Sequence, residues 1–112
     1  MSYQHQSLAS GRWYAFSLME QMANIGSEVE RTIRWRQKNN LEYSAKAFDR
    51  ALELLELTIS DRKHQHRLRE LTRLRETLLD YFVGENEFNA TDENWKKYFY
   101  AFSFAASLEK GR

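Results

Sequence analysis

The chain has 112 residues, of which 42% are hydrophobic, 14% aromatic and 29% charged, with a formal net charge of +1. That apolar content excludes a disordered chain and that length suits one domain, while the near-neutral charge gives no overall pull toward nucleic acid. The absence of Cys excludes disulfides and thiolate chemistry, and no Pro with only four Gly leaves too few turn residues for an all-β fold.

Residues 1–10 are polar and lack the apolar core of a signal peptide. Nowhere does an apolar run approach the roughly 20 residues of a membrane span. A cytoplasmic, non-membrane protein is expected, with residues 1–9 and 109–112 fraying at the ends of a single domain, 1–112.

The first periodic segment runs over residues 10–38. At 100° per residue Ala15, Leu18, Met19, Met22, Ile25, Gly26, Val29 and Ile33 share one face, which predicts an amphipathic helix about 43 Å long. Asn39 and Asn40 end it, since Asn tolerates the left-handed conformation. A second helix over 42–60 carries Ala47, Phe48, Ala51, Leu52, Leu55, Thr58 and Ile59 on its core face, widened by Leu54. Asp61 is placed to cap a third helix, 64–82, whose stripe is Leu68, Leu71, Leu74, Leu78, Leu79 and Phe82. Gly84 closes it. Residues 85–90 form the one true loop, and Thr91 caps a fourth helix with Asp92 and Glu93 at its positive end. Trp95, Tyr98, Phe99, Phe102, Ala105 and Ala106 make that helix's buried face. Four such helices with short connections predict an all-α, antiparallel up-down-up-down four-helix bundle.

Three features exceed what one core stripe per helix requires. Trp13, Asn24, Glu28, Arg31 and Trp35 fall together on the back of the first helix, the aromatic and arginine composition of protein interfaces. Tyr100 and Phe104 lie on the far side of the fourth helix, so that helix is apolar on two sides. A surface of this kind suits a symmetric homodimer, with Trp13, Trp35, Tyr100 and Phe104 packing and Glu28 and Arg31 setting register; the alternative is that Trp13 and Trp35, at the helix ends, cover the tips of the bundle. Arg75 falls on the core side of the third helix. It is either a buried guanidinium needing Glu20, Glu28 or a partner's carboxylate, or an edge residue whose head reaches water.

Chemistry is sparse. Neither a Gly-rich phosphate loop nor a Glu-x-x-His di-iron pattern occurs, and His64 and His66 diverge on a helix, so they are expected to be solvated surface side chains. No metal, cofactor or catalytic residue is expected, which points away from an enzyme. The densest charge run, Arg62, Lys63, His66 and Arg67, gathers with Arg12, Lys110 and Arg112 at one pole and is the candidate anion or RNA contact, unless Glu53, Glu56 and Asp61 at the end of the second helix neutralise much of it.

The runs Asn24-Ile25-Gly26-Ser27-Glu28-Val29-Glu30-Arg31, Ala47-Phe48-Asp49-Arg50-Ala51-Leu52-Glu53-Leu54-Leu55 and Arg73-Leu74-Arg75-Glu76 resemble those of a small uncharacterised prokaryotic helical-bundle family. More distantly, the chain resembles HEPN-type bundles. That resemblance implies a protein partner, a nucleotidyltransferase-like enzyme, or a ribonuclease activity; Arg62 and His66 stand closer together than that family's ribonuclease motif places its Arg and His. The expected function is a non-enzymatic bundle that self-associates and binds a protein partner. The alternative is an RNA-associated protein or HEPN-like ribonuclease using the basic pole.

Overall fold

A computed structural model of the chain describes residues 11–111. Every regular element among them is helical: a 3-10 turn Arg12–Ala15, α1 Leu18–Gln37, α2 Leu41–Ile59, a second 3-10 segment Arg62–Arg67, α3 Leu68–Phe82 and α4 Asp92–Lys110. The expected fraying of residues 1–9 and of Arg112 lies outside the described residues, while Glu109 and Lys110, also expected to fray, are the last residues of α4.

The predicted first helix is two pieces. Ser17 stops it: its hydroxyl accepts the Glu20 N–H while the Glu20 carboxylate accepts the Ser17 N–H, a reciprocal capping box that starts a new helix. α1 therefore has 20 residues and is about 30 Å long, not 43 Å. Asn39, at φ 61°, reverses the chain, and Asn40 caps α2 through the Tyr43 N–H. The third helix also starts later than its periodicity suggests. Asp61 caps a 3-10 segment through the Lys63 N–H, and His64 leaves helical geometry within it, at φ −103° and ψ 17°.

Two left-handed residues, Asn86 and Asn89, shape the loop before α4. The Asp80 carboxylate holds that loop by accepting the N–H groups of Glu87 and Phe88. Thr91 and Asn94 form a second capping box, so α4 begins where expected.

The helices alternate in direction. Ser17 at the start of α1 donates to Glu109 at the end of α4, and Arg36 at the end of α1 meets Asp92 at the start of α4. α1 is the central element, packing on α2 and on α4. The core is Met22, Ile25, Val29 and Ile33 of α1, Phe48, Ala51, Leu54 and Leu55 of α2, Leu71, Leu74 and Leu78 of α3, and Trp95 and Phe99 of α4. Each of the larger side chains contributes about 1.5–3 kcal/mol on burial. Gly26 sets the α1–α4 spacing, because a Cβ there would lie 2.7 Å from that of Phe99. α3 leans on α2 instead, and the rings of Tyr81, Trp95 and Tyr98 stand along its boundary with α4.

Candidate functional site

α4 is apolar on two sides. Trp95, Phe99 and Ala106 face the core. On the opposite side Tyr100, Phe104 and Leu108 follow one another at every fourth residue and are 69%, 55% and 53% exposed. The Tyr100 and Phe104 rings stack at 6.4 Å, with an interplanar angle of 26°. A helix inside a solvated fold buries one stripe, so this second one is surplus to the protomer.

The other expected interface residues scatter. Trp13 is 1% exposed: because the chain bends at Phe16 and Ser17, the α1 periodicity does not extend to it, and its indole turns inward to donate to the Thr58 hydroxyl at 3.0 Å. It is a core residue and not a surface anchor. Glu28 faces the α1–α2 seam rather than the back of α1, accepting from Arg50 at 3.0 Å, with Arg31 at 3.4 Å. Arg31 is exposed. Trp35 is half-buried, edge-on to Tyr43 at 4.9 Å, with the Lys38 ammonium over its ring. Of the six, Tyr100 and Phe104 alone form an exposed apolar pair.

Arg75 is at the edge of its stripe. Its guanidinium reaches Glu56 of α2 at 3.2 Å with 38% of the side chain exposed, so it is neither buried nor paired with α1. In the basic run, Arg62 and His66 are exposed, and Arg67 lies 3.6 Å from Glu70. Lys63 is engaged: its ammonium donates to Asp61 at 2.6 Å and to the Tyr14 carbonyl at 2.7 Å.

That lysine borders a buried polar knot which sequence reasoning missed. Gln21, Asp61 and His64 are each at most 6% exposed. The Gln21 amide donates to the Trp13 carbonyl and to Asp61, both at 3.0 Å, and its oxygen accepts from His64 Nε2 at 2.6 Å. Burial pushes the Asp61 pKa up, but the bonds from Lys63 and Gln21 outweigh it and hold the carboxyl below its ordinary value. Burial also holds His64 below the usual histidine range, against the pull of Asp61, so the ring is a neutral Nε2–H donor. The expectation of a solvated His64 is corrected: the 3-10 kink turns it inward. One signal was present, a Gln at position 21 between Leu18 and Ile25 on the apolar stripe.

The knot joins the N-terminal turn to α1 and to the second 3-10 segment, and contains no Ser, Thr or Cys. Among the described residues no group of three or more His, Asp or Glu is placed to hold a metal ion, and no helix is long and apolar enough to cross a membrane. Compared with family models, curated proteins and solved structures, the chain finds no match, so the HEPN resemblance gains no support there.

Proposed function

We propose that this chain is a non-catalytic association module that pairs with a second copy of itself and docks a protein partner through the outer face of α4. The observation that carries the reading is the Tyr100–Phe104–Leu108 stripe, exposed on a helix whose other side is already buried. Covering three such side chains contributes about 1.5–3 kcal/mol each, while association costs about 4–15 kcal/mol in lost freedom. The stripe is thus an anchor that needs flanking area, and self-affinity no tighter than micromolar is expected.

The helix dipole supports a second copy as the first occupant. α4 begins with Asp92 and Glu93 and ends with Lys110. Asp92 is already held by Arg36 within the protomer, so the support lies in the helix dipoles, which oppose in an antiparallel pair about a two-fold axis. A nucleotidyltransferase-like enzyme is the partner class that the sequence resemblance supplies, and it would compete for the same face.

Size-exclusion chromatography with light scattering tests this. The native chain should run as a dimer at high micromolar concentration, and Tyr100→Asp with Phe104→Asp should give a folded monomer with an unchanged circular dichroism spectrum. A native chain that stays monomeric at several hundred micromolar rejects the self-association.

A further inference from the structure

The arginines divide into two populations. Ten lie between residues 11 and 111, and six of them (Arg31, Arg34, Arg36, Arg50, Arg67 and Arg75) sit within 4.0 Å of a carboxylate. Among the described residues Arg12, Arg62, Arg69 and Arg73 have no such partner, and three of these four belong to one segment. Arg62 and His66 are exposed on the 3-10 segment that leads into α3; Arg69 and Arg73 follow one turn apart on α3 itself.

The track ends at an aromatic opening. Arg73 lines a groove of about 450 Å³ between α3 and α4 together with Glu70, Leu74, Thr77, Trp95 and Tyr98. Tyr98 is 41% exposed, braced edge-on by Trp95 at 6.0 Å and by Phe99 at 5.0 Å, so its ring is held in place. Two carboxylates border the track. Glu70 lies 3.6 Å from Arg67 and also lines the groove beside Tyr98, while Glu76 shares a shallow concavity with Arg69, Thr72 and Arg73, so each opposes an anion at its end.

We propose that the Arg62–His66–Arg69–Arg73 track and the Tyr98 groove together bind single-stranded nucleic acid. Guanidinium groups left without carboxylates pair bidentately with phosphate, and a braced aromatic ring at the end of the track stacks an unpaired base. An acidic peptide would use the arginines and leave Tyr98 idle. A duplex would use them too, but its bases are stacked away from the groove. This site is independent of the α4 outer face, and three phosphate contacts make it a weak, salt-sensitive one.

Fluorescence anisotropy with labelled oligouridylate and oligothymidylate tests it, with a duplex of equal length and poly-glutamate as comparators. Three neutralised phosphates give a logarithmic salt slope of about −2 for a single strand, so affinity should fall roughly twenty-fold between 50 and 200 mM salt. Arg62→Gln, Arg69→Gln and Arg73→Gln together should flatten that slope and leave the circular dichroism melt unchanged, since all three side chains are exposed. Tyr98→Leu should remove the preference for single strand over duplex, and strand binding should shift the tryptophan emission of the native chain, of whose three indoles Trp95 alone lines the groove. Absence of binding at 50 mM salt, binding untouched in the triple variant, or equal displacement by poly-glutamate would each overturn the proposal. The two oligonucleotides separate RNA from DNA as its source.

Discussion

Each end of the bundle is tied by one aspartate, and the two ties differ in depth. At the end holding the N-terminal turn, Asp61 is 6% exposed and accepts from Gln21 and Lys63, with His64 Nε2 3.6 Å away. At the opposite end, Asp92 keeps a quarter of its side chain in water and accepts from Arg36, Gln37 and Tyr81. Burial raises the pKa of both, and in both the donors prevail and hold the carboxyl below its ordinary value. The lesson is that equal numbers of hydrogen bonds do not mean equal stakes. A sealed polar group that loses its partner bears the full desolvation cost, whereas a wetted one recovers part of it from solvent.

The sharpest way to break the comparison is Asp61→Ala. It leaves one Gln21 amide hydrogen unpaired in a sealed site, removes the acceptor for the Lys63 N–H and frees the exposed Lys63 ammonium, and should cost about 2–3 kcal/mol, read from the urea midpoint. Trp13→Phe keeps a ring in the core but leaves Thr58 without the indole donor, and about 1–2 kcal/mol is expected by the same measurement. Asp92→Ala should cost only about 1 kcal/mol, because Arg36 and Tyr81 at that end can turn to water. An Asp92 variant as costly as the Asp61 one would erase the distinction.

The smallest effect is a pH dependence. His64 titrates below its ordinary value in the fold, so the unfolded chain takes up the proton first. Its contribution is therefore full above about pH 6.5, the unfolded value, and fades as pH falls through the lowered folded one. Asp61 and Asp92, also lowered, add a further loss below about pH 4. Urea midpoints should decline between pH 7 and 5 in the native chain and stay flatter over that window in His64→Gln.

Much of the fold was legible because helices advertise themselves locally. The stripe of α2, that of α4 apart from Tyr98, which was expected inside and is exposed, and the cap at Thr91 depend on residues three or four apart. The break at Ser17 was legible too, as a Ser followed three residues later by Glu, but a continuous apolar period masked it. The polar knot could not be read in the same way. Gln21 and His64 are satisfied by groups up to 43 positions away, and no local pattern announces a non-local hydrogen bond. The outer face of α4 was visible for the opposite reason, since Tyr100 and Phe104 had no inward turn left to occupy.

The indole–hydroxyl contact between Trp13 and Thr58 spans 45 positions, whereas the α1–α2 hairpin closes over a three-residue connection. Closing the larger loop carries the greater entropy penalty, so the hairpin should form early and the N-terminal turn should dock onto it late. Trp13 then acts as a latch in kinetic terms. Loosening it leaves the folding arm of a chevron plot in place and steepens escape from the native state, so the lifetime of the bundle is set where its shortest element meets its end.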